Sequence, residues 1–123
     1  MSVARKILVA DDNRDLAAAL SVLLASRGHA VRVAHTGEDA CIAAMEFRPH
    51  VAVLDIDMPL MSGHEVAREI RRQVWGREVL LVALSGWGGP THVVHALDAG
   101  FDHHREKPSD LAEILTLIER TAV

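Results

Sequence analysis

Short apolar runs alternate with stretches of helical periodicity five times along this chain, and that alternation restricts its possible folds more than any other feature. The runs are KILVA (6–10), AVRVA (30–34), VAVLD (51–55), VLLVALS (79–85) and the weaker HHRE (103–106). After the first, Leu16, Leu20, Leu23 and Leu24 share one helical face, and Gly28 stops that helix. Thr36 caps the second helix, with Asp39 three residues on as in a capping box, and Pro49 follows its end. A third helix covers roughly 64–73, with Val66 and Ile70 inward. Gly86–Gly89 forms a loop, Pro90 suits the first turn of a fourth helix, and Gly100 ends it. Ser109 or Asp110 opens the fifth, whose Leu111, Ile114, Leu115 and Ile118 make one apolar stripe. Strands apolar on both faces need helices on both sides. The pattern therefore predicts an α/β fold: five β-α units, doubly wound around a parallel five-stranded sheet. AVRVA is more polar and belongs nearer an edge.

With 123 residues, half of them hydrophobic, the chain suits one domain, 1–123, with a sizeable core. No linker, repeat, second domain or output domain is visible in the sequence. A net charge of −4 without a Lys/Arg run argues against a nucleic-acid partner. Arg68, Arg71 and Arg72 read as a solvated helix face. No apolar run approaches the ~20 residues that span a bilayer, so no membrane association is expected. The N-terminus lacks the apolar region and cleavage site of a signal peptide. The single cysteine, Cys41, excludes an internal disulfide and fits a reducing cytoplasm, where it reads as a small buried hydrophobe.

Ligands of a parallel α/β sheet bind beyond the carboxyl ends of its strands. Asp11 and Asp12 follow the first strand; Asp55, Ile56 and Asp57 end the third. Ser85 and Gly86 close the fourth, and Lys107, then Pro108, follow the fifth. Clustered carboxylates repel, and one takes up a proton unless a cation neutralises them. Such oxygen donors suit Mg²⁺, which uses one or two carboxylates and shares its shell with phosphate. One carboxylate could then be a nucleophile forming an aspartyl phosphate. Ser85 could donate to a phosphoryl oxygen and Lys107 pair with it, and the Ile56 and Gly86 N–H groups could complete the cradle. Taken singly, these residues have blander readings: Asp11 and Asp12 as helix-capping acids, Asp55 and Asp57 as turn residues, Ser85 as a strand-end hydroxyl, Lys107 as a surface lysine. Their coincidence at one sheet edge favours the site.

Four segments in order, ADDN (10–13), LDIDMPLMSG (54–63), LSG (84–86) and AGFDHHREKP (99–108), make the chain resemble a response-regulator receiver domain of two-component signalling over essentially its whole length. The resemblance implies the flavodoxin-like strand order 2-1-3-4-5. It implies that Asp55 accepts a phosphoryl group from a histidine kinase or histidine phosphotransfer protein, and that the domain catalyses its own phosphorylation and dephosphorylation. Asp12 would ligate Mg²⁺ (or Mn²⁺) directly, Asp11 through water, Asp55 by its carboxylate and Asp57 by its backbone carbonyl. Lys107 would hold the phosphoryl group, Ser85 would be the switch hydroxyl, and Pro59, Gly63 and Pro108 would shape the loops. The face of the fourth helix, fifth strand and fifth helix would carry the response to a partner or to a second copy.

The pattern bends at strand five. His104 stands where receivers often have Tyr or Phe, so any rotameric switch there would be an imidazole able to titrate near neutrality. Arg105 and Glu106 replace apolar residues, which puts in question a standard dimer through that face. GFDHH is similar to receivers that stand alone or accompany hybrid kinases. SGWGG (85–89) lacks a Walker lysine and reads as a switch loop, with Trp87 either an exposed contact or a loop anchor. His92 and His95 are spaced as a ligand pair, but no recognised zinc spacing accompanies them. Two other functions are open: a small haloacid-dehalogenase-like phosphatase built on Asp55-Ile56-Asp57, although Pro59 replaces its expected hydroxyl residue, and a docking domain that is never phosphorylated.

Overall fold

The computed structural model describes residues 4–107 and 110–120. Its elements are β1 (Lys6–Ala10), α1 (Arg14–Ser26), β2 (Ala30–Ala34), α2 (Gly37–Phe47), β3 (Val51–Asp55), α3 (Gly63–Arg72), β4 (Leu80–Ser85), α4 (Pro90–Ala99), β5 (His103–Glu106) and α5 (Leu111–Arg120). All neighbouring strands are parallel, in the order β2-β1-β3-β4-β5. The expected fold and order both hold, and the two most polar strands take the edges.

Side-chain alternation divides the core in two. Ile7, Val9, Val51, Val53, Val82 and Leu84 face α1 and α5, meeting Leu20, Leu24, Ile114 and Ile118. Leu8, Ala10, Ala52, Leu54, Leu81 and Ala83 face the other way, toward α2, α3 and α4. Alanines dominate this second layer: Ala40, Ala43 and Ala44 of α2, Ala67 of α3, and Ala96 and Ala99 of α4 are all buried. Small side chains let helix and sheet backbones approach closely. Each fully buried Leu, Ile or Val adds about 1.5–3 kcal/mol of transfer free energy, which holds the strand ends in register.

Thr36 caps α2 as the sequence predicts, whereas Asn13, not Asp11 or Asp12, caps α1, and Ser62 caps α3. Asn13 Oδ1 accepts the Leu16 N–H (3.1 Å), Thr36 Oγ1 that of Asp39 (3.1 Å) and Ser62 Oγ that of Glu65 (3.3 Å). Asp110 Oδ1 accepts the Ala112 N–H (2.9 Å), so Asp110 serves the start of α5. The roles expected of Pro108 and Ser109 lie outside the described residues. α3 starts and ends one residue earlier than the periodicity suggests. β4 starts at Leu80, and the Val79 carbonyl goes to Arg71 Nη1 (2.7 Å).

Arg71 corrects the reading of its cluster as a solvated face. Its guanidinium also reaches the carbonyls of Gly100 (2.9 Å) and Gly76 (2.9 Å) and the Asp102 carboxylate (3.0 Å). It ties α3, the loop before β4 and the end of α4 together. Cys41 is half-buried beside the second core layer, where burial and then Glu69 and Glu65 raise its thiol pKa.

Candidate functional site

The register brings the predicted acids together. Ala10 pairs with Leu54 across the two central strands, so Asp11 and Asp55 emerge side by side at the carboxyl edge. Carboxylate oxygens of Asp11, Asp12 and Asp55 all lie within 4.8 Å of one another. Asp55 is 1% exposed and Asp11 2%, whereas Asp12 is open to solvent. Lys107 enters from beyond β5, its N–H donating to the Ser85 carbonyl (2.6 Å). That bond aims the ammonium inward, 2.9 Å from Asp11 Oδ2 and 3.2 Å from Asp55 Oδ1.

One ammonium cannot balance three carboxylates. Burial pushes the Asp55 carboxyl upward, as do the Asp11 charge and the Asp12 side chain. The Asp57 N–H and Lys107 oppose them, and the net result is a pKa raised from 3.8 to about 7. Burial also works to lower the Lys107 pKa, but its contacts with Asp11 and Asp55 outweigh that and hold it above the ordinary value. The two shifts are consistent: the lysine gains by facing several acids, while Asp55 is buried among more negative than positive charge.

Ser85 ends β4 with 2% exposure, opposite Glu106 in the register. Its hydroxyl donates to Asp57 Oδ2 (3.3 Å) and accepts the Trp87 N–H (3.0 Å), and the Gly86 N–H also donates to Asp57 Oδ2 (3.1 Å). The Asp57 N–H donates to Asp55 Oδ1 (3.0 Å). Gly63, at the start of α3, closes the loop after β3, its N–H donating to the Ile56 carbonyl (3.1 Å). A Cβ there would stand 2.5 Å from the Asp55 carbonyl oxygen, so only glycine lets the helix start this close to the strand.

Ile56 requires a correction. Its N–H donates to the Leu84 carbonyl (2.9 Å), continuing the β3–β4 ladder, and is not offered to the site. The amide turned toward the Asp55 carboxylate is that of Asp57. Strand alternation carries the signal, since neighbouring amides point opposite ways, but reading it requires the β3–β4 register. His104 lies half-buried on β5, its Nε2 buried without a hydrogen-bond partner. Burial, and then His92, lower its pKa, so its charge change moves further below neutrality than the sequence suggests. Trp87 is 65% exposed and stacks on His92 (ring centroids 6.4 Å apart), which resolves it as an exposed residue. Among the described residues no three His, Cys or acidic side chains other than Asp11, Asp12 and Asp55 come close enough to share a metal.

The response regulator receiver domain model matches residues 7–119. The chain belongs to this family. Among its relatives is the response regulator MprA of Mycobacterium avium, 35% identical over 120 residues. The alignment covers 94% of this chain but 52% of MprA, so the chain spans about half the length of the curated relatives it matches. Among solved structures, the receiver domain of the Pseudomonas aeruginosa sensor histidine kinase PA1611 superposes with a TM-score of 0.85 at 28% identity, covering 96% of this chain and 97% of that one. It carries a magnesium ion in its active-site cleft. A response regulator from Burkholderia pseudomallei, with a phosphorylated aspartic acid and a calcium ion, gives 0.85 at 26%, covering 94% of this chain and 67% of that one.

Membership of the receiver family sets aside the haloacid-dehalogenase reading. The receiver's donor set also suits a hard divalent cation. Oxygen ligands converge from three carboxylates, and the buried Asp11 Oδ2 has no hydrogen-bond partner besides its ion pair with Lys107. Among the described residues no helix is long and apolar enough to cross a membrane.

Proposed function

We propose that residues 1–123 act as one phosphoacceptor receiver domain, in which Asp55 takes a phosphoryl group from a phosphohistidine of a histidine kinase or phosphotransfer protein. The observation that carries this reading is the meeting of Asp11, Asp12 and Asp55 within 4.8 Å, with the Lys107 ammonium 3.2 Å from Asp55. An ionised Asp55 oxygen attacks phosphorus, the O–P bond forms, and the P–N bond breaks with its electron pair passing to the donor imidazole. Hydrolysis reverses the charge change: water attacks phosphorus, and the Asp55–phosphoryl bond breaks to give inorganic phosphate and the free carboxylate.

Asp11, Asp12, the Asp55 carboxylate and the Asp57 carbonyl would hold Mg²⁺ or Mn²⁺, which supplies positive charge to the phosphoryl oxygens and lowers the Asp55 pKa. Lys107 pairs with the carboxylate beforehand and with a phosphoryl oxygen afterwards. Ser85 and the Gly86 N–H donate to the other oxygens, the Asp57 N–H taking the place expected of Ile56. This is catalysis by positioning and charge neutralisation. Phosphorylation adds about one negative charge, drawing Ser85 and the 86–89 loop inward. The α4-β5-α5 face then shifts its population toward the form that binds a partner or a second copy, with His104 as the residue that moves. The domain works in the cytoplasm.

A phosphorylation assay with Mg²⁺ and acetyl phosphate tests the reading. The wild type gains the mass of one phosphoryl group, and Asp55→Asn gains none. An unchanged wild-type mass would instead favour the docking domain that is never phosphorylated.

A further inference from the structure

The donors assigned to the phosphoryl group already have an acceptor. Asp57 Oδ2 takes the Ser85 hydroxyl (3.3 Å) and the Gly86 N–H (3.1 Å) at once. The arrangement is held from both sides. The Asp57 N–H is anchored to Asp55 Oδ1 (3.0 Å), and Ser85 Oγ accepts the Trp87 N–H (3.0 Å), fixing the start of the 86–89 loop. A carboxylate oxygen bound to a hydroxyl and a backbone amide has the charge sign and acceptor character of a phosphoryl oxygen.

We infer that the Asp57 carboxylate is an internal competitor of the phosphoryl group, occupying the Ser85 and Gly86 donors in the unphosphorylated domain so that an incoming phosphoryl must displace it. This role rests on the phosphoacceptor reading above and assigns Asp57 a task beyond a backbone carbonyl toward a metal. Displacement is open sterically. Asp57 is an exposed residue, so its side chain has solvent to turn into, and a Cβ on Gly86 would meet nothing nearer than Asp57 Oδ2 at 3.9 Å. It is also driven electrostatically, because the new phosphoryl charge repels the carboxylate it replaces. Asp57 thus sets how strongly the site must bind a phosphoryl group before the 86–89 loop changes partner. It is a positioning residue, acting through Ser85 and Gly86.

The test uses beryllofluoride, a phosphoryl analogue that binds without chemical turnover. The ¹⁵N-labelled chain is titrated at saturating Mg²⁺, with Mg²⁺ affinity measured separately for each variant, and the Gly86 and Trp87 amide resonances are followed. Asp57→Ala should bind the probe roughly fivefold more tightly than wild type, about the net value of one hydrogen bond in water. Asp57→Asn, which keeps an acceptor oxygen but not its charge, should fall between. Without probe, the Gly86 amide of Asp57→Ala should exchange with solvent faster than in wild type. Equal or weaker binding by Asp57→Ala, with wild type binding normally, overturns the competitor role and leaves the phosphoacceptor reading standing. If wild type itself does not bind the probe, the phosphoacceptor reading fails and takes this role with it.

Discussion

Replacing Asp55 by Asn removes one of three carboxylates facing a single ammonium, and should stabilise the metal-free fold wherever the wild-type carboxyl is ionised. The gap between the ordinary pKa of 3.8 and the folded value of about 7 is about three pK units. At about 1.4 kcal/mol per unit, full ionisation of Asp55 in the fold costs up to about 4 kcal/mol. The sign follows from the raised value. The folded chain holds the proton more tightly than the unfolded chain, so the favourable contribution is complete below 3.8. It is lost as pH rises and is gone above about 7. Asn carries no charge and keeps an oxygen for the Asp57 N–H, so it escapes that loss. The attraction of Lys107, 3.2 Å away, is already contained in that net shift, while relaxation around the wild-type charges softens their repulsion. Allowing about half for that relaxation leaves about 2 kcal/mol. Urea unfolding with a chelator present, at several pH values from about 4 to about 8, measures it. Asp55→Asn should be about 2 kcal/mol more stable than wild type near pH 8, with the gap shrinking toward zero near pH 4. Saturating Mg²⁺ should narrow the gap by stabilising wild type. A gap that ignores pH, or a variant less stable than wild type near pH 8, refutes the reasoning.

Gly63→Ala should cost about 1–3 kcal/mol by overpacking against the Asp55 carbonyl, read from the urea midpoint, and should slow phosphorylation because β3 must shift to admit the methyl. Arg71→Ala should cost about 2–3 kcal/mol in the same assay, since three part-buried carbonyls in two loops lose a charged donor, and Arg71→Lys should restore little because an ammonium lacks the fork. Lys107→Ala removes a group that lowers the Asp55 pKa, so the Asp55 carboxyl, followed by ¹³C NMR with a chelator present, should titrate higher than in wild type. It should still bind Mg²⁺, but phosphorylation should no longer shift the amide spectrum of α4 and β5.

The strands and the acids at their tips were readable because each depends on local pattern. KILVA, AVRVA, VAVLD and HHRE are the observed strands to the residue, and a carboxylate directly after a buried strand has only the sheet edge to occupy. What could not be read depends on partners distant in sequence. The Ile56 amide goes to Leu84 because Asp55 pairs with Leu84 across β3 and β4, a register no local feature states. Arg71 looked solvated because most of its acceptors are carbonyls, which every residue has and no sequence marks. His29, its side chain wholly buried, bonds the Arg5 N–H (3.1 Å) and Glu119 (3.2 Å), joining the two ends of the chain through a contact that composition does not hint at. Asp57 was readable as half of an Asp-x-Asp pair, but its hold on Ser85 and Gly86 needs the β4 end brought alongside.

The two faces of the sheet are not held equally, and the difference bears on where a charge change at the rim is felt. α3 buries Gly63, Val66, Ala67 and Ile70 and carries Arg71 as a further tie. α4 buries only Ala96 and Ala99, and Val94 and Leu97 are each 52% exposed. Its N-cap is Gly89, with no side chain to accept a first-turn N–H. Two alanines bury little apolar area, so displacing α4 forfeits much less transfer free energy than displacing α3. α4 also follows the 86–89 loop directly, and that loop begins at the Ser85 and Gly86 donors held by Asp57. A new charge at Asp55, as proposed above, would therefore act first on the segment leading into α4. The α1 and α5 side, packed on Leu20, Leu24, Ile114 and Ile118, has no such weak member. An element can be repopulated only by as much free energy as the site supplies, and here the smallest requirement and the shortest connection coincide in α4.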